Sequence, residues 1–353
     1  MDRIPFDPKE LEIVGYMPAF NPRAPKIPIY NTPVSKRENY LMFLNGETPH
    51  WLPHMNDQFL FLPECVPDNW CRGMVTASKP VSIDMFGGKD MFGVEWEYIP
   101  KVGGSMVRPG KPYVDDLDHW EDYVPFPNIE EWDWAGCAEA AKEKLNDGRL
   151  VKVSMMTGLF ERLISFVDMT DAMIALIDED TQPAVHRLFD KLCILYDQMF
   201  AKFEEYFHAD AIWFHDDWGS QRSPFFSADT VREMILPYLK RCVDSAHKHG
   251  MRLELHSCGH IEQLVPVMIE AGCDMWNGQP MNDKLAVAKA CGGKIAVDSY
   301  PNVNKDMSEA QVREEIQHYL DDFKGLRTYG ARHMDEHPLE YQISYELSRK
   351  MFS

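Results

Sequence analysis

The sequence has no long apolar run, little basic charge and few cysteines, and each absence removes a class of protein. No window of the 353 residues approaches the roughly 20 apolar residues a membrane span needs, and the N-terminus Met1-Asp-Arg-Ile-Pro-Phe-Asp-Pro8 lacks the apolar core of a secretory signal. Lys and Arg number 36 against 56 Asp and Glu, a net charge of −20. That balance argues against nucleic acid and anionic membranes as partners, because phosphate binding needs concentrated cations. Eight cysteines, at positions 65, 71, 137, 193, 242, 258, 273 and 291, lack the density of a disulfide scaffold and read as reduced thiols. The expectation is a soluble, cytoplasmic protein whose partner is small and neutral, or another protein. The apolar fraction of 45% is enough for a substantial core.

Residues 1–34 carry seven prolines and little periodicity, which predicts an arm laid over the surface. A first helix is expected at Ser35, where Ser35 and Glu38 have capping-box spacing. Residues 49–134 are aromatic and irregular, with one extended piece at 92–99. From Leu150 the pattern changes to repeated strand, loop and helix. Strands are expected at 151–155, 211–214, 252–255, 274–276, 294–297 and 327–331, and helices at 182–207, 228–249, 261–271, 285–290, 308–323 and from Pro338. Alternating βα units with short apolar strands mean a parallel sheet covered by helices, and six units in about 200 residues fit a barrel. The predicted fold is an α/β (β/α)8 TIM barrel with an N-terminal extension, divided as an arm and helical extension over 1–75 and a barrel over 76–353.

In such a barrel the site lies at the C-terminal ends of the strands. Those ends are polar here: His215-Asp216-Asp217-Trp218, His256-Ser257-Cys258, Asn277-Gly278-Gln279, Asp298-Ser299-Tyr300 and His333-Met334-Asp335. His256 and Cys258 are two apart on a strand, so imidazole and thiol face one pocket. That pair suits zinc, which in catalytic sites takes three protein ligands and keeps one open position. Asp216, Asp217, Gln279, Asp298 and His333 end on the same face, and spacing does not choose the third ligand among them. The competing reading makes Cys258 a small buried hydrophobe and His256 a hydrogen-bonded barrel residue.

The segments Asp216-Asp217-Trp-Gly-Ser-Gln221, Leu255-His-Ser-Cys-Gly259 and Met268-Ile-Glu-Ala-Gly-Cys-Asp274 resemble the uroporphyrinogen decarboxylase superfamily of barrels. The Arg-rich N-terminal motif of the decarboxylases proper has no counterpart near residues 1–60. Ser35 to Pro49, Lys89-Asp-Met-Phe-Gly-Val-Glu-Trp96 and Phe160-Glu-Arg-Leu-Ile164 are instead similar to the corrinoid-dependent O-demethylase methyltransferases.

This resemblance implies an enzyme that takes the methyl group of an aromatic methyl ether and passes it to the cob(I)alamin of a separate corrinoid protein. It implies zinc at His256, Cys258 and a third ligand, with His333 the candidate. Relatives that methylate thiols carry a later cysteine, and no cysteine follows Cys291 here. Failing zinc, His215, Asp216, Asp217 or Asp298 would act as general acid. Met155, Phe160, Trp218 and Trp276 are expected to pack the ring, with Gln221, Asn277 and Gln279 contacting its polar groups. Other readings are a zinc-dependent methyltransferase with another donor or acceptor, such as a thiol, and a non-catalytic corrinoid- or tetrapyrrole-binding barrel. A homodimer is the expected assembly.

Overall fold

The computed structural model describes residues 3–18, 25–79, 81–101, 103–334 and 336–353. The chain forms two compact units that interleave in sequence: Leu60–Leu145 with Val151–Asn282, and Met1–Phe59 with Asn146–Leu150 and Asp283–Ser353.

In the first unit the strands Leu150–Met155, Ala211–His215, Arg252–Ser257 and Met275–Gly278 pair in parallel in chain order. All six residues of Leu150–Met155 are buried, as expected of a parallel strand covered on both faces. Lys152 is the exception in character, and it is paired with Glu254, itself buried. An unpaired charge there would cost several kcal/mol. The 26-residue helix Gln182–Phe207 matches its expected span and buries Val185, Leu188, Phe189, Leu192, Met199 and Phe203.

The expected helix 228–249 is two helices, Ala228–Met234 and Leu236–Lys248. Pro237 lacks an N–H and its ring crowds the carbonyl four residues back, so it opens a new helix more easily than it continues one. Pro266 does the same within 261–271, where a single 3₁₀ turn precedes the helix Val265–Ala271.

Three further elements lie where no regular structure was expected. Helices Trp134–Leu145, Leu159–Val167 and Met169–Ala175 occupy stretches to which the sequence reading assigned no helix. The extended piece at 92–99 is the strand Glu95–Ile99, flanked antiparallel by Gly88–Lys89 and Gly104–Val107.

In the second unit the strands Ala296–Ser299 and Thr328–Gly330 are parallel neighbours, and a parallel bridge joins Gly330 to His54. Helix Lys36–Leu44 is N-capped by Ser35, and Glu309–Asp322 opens on a Ser308/Gln311 capping box, both as the sequence predicts. Residues 1–34 were expected to form an arm of little periodicity. They contain an antiparallel ribbon, Ile13–Met17 against Ile27–Tyr30, too short to show a period in the sequence. Leu52, Val312, Ile316, Leu320 and Ile343 share one core cluster.

The strand–helix alternation is that of an α/β TIM-barrel protein. All eight cysteines are free. Among the described residues no helix is long and apolar enough to cross a membrane.

Candidate metal centre and adjoining cavity

Two neighbouring strands of the first unit build the site. His215 closes Ala211–His215, His256 is its register partner on Arg252–Ser257, and the two rings lie 4.7 Å apart. Asp217 and Cys258 each follow two residues later, where an extended chain returns its side chain to the same face. The candidate ligand atoms of His215, Asp217, His256 and Cys258 consequently lie within 4.8 Å of one another. Glycine permits the approach of the two loops. Gly259 has φ +98°, and a Cβ there would fall 2.4 Å from the carbonyl carbon of Gly219.

Each donor is held by a partner. His215 Nδ1 is 2.6 Å from Glu161 Oε2, and the Arg72 guanidinium donates to the other oxygen of Glu161 at 2.8 Å. His256 Nδ1 is 2.6 Å from Asn277 Oδ1. These contacts require Nδ1 to carry the proton, which leaves each Nε2 lone pair available. Gln279 donates from Nε2 to the Cys258 sulfur at 3.2 Å and accepts the Gly259 N–H at Oε1. The Cys258 N–H donates to Asp217 Oδ1 at 2.6 Å.

The electrostatics follow from burial. Burial alone would raise Glu161, but Arg72 and His215 outweigh it and hold the carboxyl at about 2. Burial works against a charged His215, and Glu161 more than compensates, raising it. Burial and then Glu161 raise Asp217, while burial and then Asp217 push the Cys258 thiol up. A divalent cation among these donors would reverse that balance by favouring carboxylate and thiolate.

A cavity of about 260 Å³ adjoins the cluster, and Asp217 belongs to both. Trp96, Met106, Val107, Ile164 and Met169 supply its apolar wall. Arg72 also lines it and stacks on the Trp96 ring at 4.9 Å, so the wall connects through Arg72 and Glu161 to His215. A second cavity, of about 300 Å³ against helix Trp134–Leu145, contains none of the four donors.

The residues expected at the site are placed as follows. His256 and Cys258 stand together, with Asp217 from the open set of third ligands and with His215, which was read as an acid. Asp216 points elsewhere: its carboxylate accepts the Phe160 and Glu161 N–H groups and the Trp218 indole N–H, capping helix Leu159–Val167. Burial pushes that carboxyl up to about 7 against these donors. Met155, Phe160, Trp218 and Trp276 are buried, Phe160 edge-on to Phe226, and Gln221 is exposed. None of these five is among the residues lining the 260 Å³ cavity. Asn277 and Gln279 hold His256 and Cys258.

In the second unit Asp298 is buried and paired with Lys284, and His333 Nδ1 lies 3.1 Å from Asn56 Oδ1. His337 contacts the Met307 carbonyl, and Asp335 lies outside the described residues. Sequence reasoning missed Arg72, the role of Glu161, and the wall at 96–107. Glu161 lay inside a quoted motif, but its partner is 54 residues away.

No curated protein matches the sequence. Among solved structures, a methyltransferase from Methanosarcina mazei aligns over 90% of this chain and 99% of its own, with a TM-score of 0.60 and 16% identity. An endo-β-1,4-xylanase from Gloeophyllum trabeum aligns over 58% of this chain and 69% of its own, with a TM-score of 0.35 and 9% identity. The uroporphyrinogen decarboxylase (URO-D) family model matches residues 80–329, most of the chain, and the protein therefore belongs to the uroporphyrinogen decarboxylase family.

Proposed function

We propose that this protein is a methyltransferase that demethylates an aromatic methyl ether and delivers the methyl group to the cob(I)alamin of a separate corrinoid protein. The observation that carries the reading is a four-donor cluster sharing Asp217 with a mostly apolar cavity. The barrel-wide likeness to a methyltransferase supports the same class.

The donor set fits zinc. Bonds of about 2.0–2.3 Å place tetrahedral donors about 3.3–3.8 Å apart, and Cys258 Sγ and His256 Nε2 are 3.7 Å apart. His256 and Cys258 would hold the ion with His215, Asp217 or both, and His333 is not needed to complete the set. Bound there, zinc would act as a Lewis acid on the ether oxygen.

The chain's own residues do the rest. Glu161 and Asn277 fix the two imidazoles, and Gln279 stabilises charge on Cys258. The wall around Trp96 and Ile164 excludes water from the ring. In the reaction the methyl–oxygen bond would break with its electron pair left on oxygen, the methyl carbon would bond to cobalt through the pair that cob(I)alamin supplies, and the phenolate would take a proton. Holding carbon and oxygen in line with the incoming cobalt is the main contribution of the site.

Incubation with a reduced corrinoid and a panel of methoxybenzenes tests this. Methylcobalamin should appear in step with the free phenol, and His256→Ala should abolish both metal binding and transfer. No transfer from any aromatic ether would reject the reading.

A further inference from the structure

The cavity beside Asp217 has a polar feature that the donor cluster does not use. Ser105 lines it, on the strand Gly104–Val107, and its buried hydroxyl has no hydrogen-bond partner among the described residues. A buried hydroxyl without a partner is desolvated with nothing in return, a deficit that a ligand's polar group can relieve. The charges are equally specific. Among the described lining residues Arg72 is the one cation, and its guanidinium is committed to Glu161 and stacked on Trp96. Glu161, Asp168 and Asp217 also line the cavity. Asp168 Oδ2 accepts the Gly110 N–H at 2.7 Å. Three carboxylates against one paired guanidinium leave no side-chain cation for an anionic ligand, and the charge of a zinc ion at the cluster would be offset by Asp217 and Cys258, two of its own donors.

We infer that the cavity selects uncharged, hydroxyl-bearing methoxybenzenes, with Ser105 pairing the ring hydroxyl, and rejects methoxybenzoates. This rests on the methyl-ether reading. The geometry supplies each element: apolar faces from Trp96, Ile164 and Met169 for the ring, Ser105 for the hydroxyl, and Asp217 where the cavity meets the donor cluster. A carboxylate here would be stripped of water and placed among like charges, a penalty that translates to roughly 100-fold or more in affinity. A ring hydroxyl is un-ionised near neutral pH and carries no such penalty.

Isothermal titration of the zinc-loaded full-length protein with 2-methoxyphenol, 2-methoxybenzoate and methoxybenzene separates this inference from the reading it rests on, because it needs no methyl transfer. The phenol should bind at least about tenfold more tightly than methoxybenzene and 100-fold more tightly than the benzoate. Ser105→Ala should shrink the phenol/methoxybenzene ratio to under about threefold, the loss of one hydrogen bond. Tighter binding of the benzoate, or a ratio untouched by Ser105→Ala, overturns the selectivity. Selective binding without transfer of any methyl group would reject the enzymatic reading and leave the selectivity standing.

Discussion

Asn277 and Gln279 change roles once their neighbours are in place. As polar residues after a strand they suit a substrate hydroxyl, yet one fixes the His256 tautomer and the other donates to the Cys258 sulfur. Glu161 does the same for His215, with Arg72 holding its second oxygen. Partners of this kind typically contribute 10–100-fold to metal affinity. Glu161→Gln should therefore weaken zinc binding by about that factor in a chelator competition, with the fold intact by circular dichroism. Unchanged affinity would remove Glu161 from the site.

His54, in the second unit, supports a pH prediction. Burial lowers its pKa to about 4, against the attraction of Asp57. Between pH 4 and 6.5 the unfolded chain binds a proton that the folded chain refuses, so stability is full above pH 6.5 and falls as the pH drops. The stability difference between the wild type and His54→Gln should shrink by about 3 kcal/mol between pH 7.5 and 4 in urea titrations. A constant difference would show that His54 takes up its proton as readily in the folded protein as in the unfolded chain.

At the scale of elements, the site is two i, i+2 pairs on neighbouring strands, His215/Asp217 and His256/Cys258. Half of that was legible, because period-2 alternation is a local rule and His256-Ser-Cys258 obeys it. His215 and Asp217 obey it too, but the adjacent Asp216 hid the pairing. Only the structure shows Asp216 turned away to cap a helix that the sequence did not announce. The strands and long helices were legible for the same reason of periodicity. Of the wall at 96–107, Glu95–Ile99 was legible as an extended piece, but Gly104–Val107 was not, since a short antiparallel strand between glycines carries too few residues to show a period.

Gly259 holds the two pairs together through its approach to Gly219. Gly259→Ala combines positive φ with a backbone clash and should cost about 3 kcal/mol or more. Gly250→Ala has positive φ but nothing within 4 Å of its Cβ, and should cost about 1–2 kcal/mol. Equal urea midpoints for the two variants would show that the loops are free to separate.

At the scale of the whole molecule, a net charge of −20 and a barrel of this family fit an enzyme that handles a small neutral molecule and a protein-borne acceptor. In the proposed reaction a separate corrinoid protein supplies the cobalt, and this chain's share is to bind, align and activate the ether. The claim that the methyl–oxygen bond is the one broken can be tested directly. The protein is incubated with a reduced corrinoid protein and 2-methoxyphenol carrying a trideuterated methyl group and ¹⁸O in the ether position, and both products are weighed by mass spectrometry. The account predicts all three deuterium atoms on the cobalt-bound methyl group and ¹⁸O retained in the catechol. Loss of ¹⁸O from the ring, or a catechol formed without labelled methylcobalamin, would contradict it.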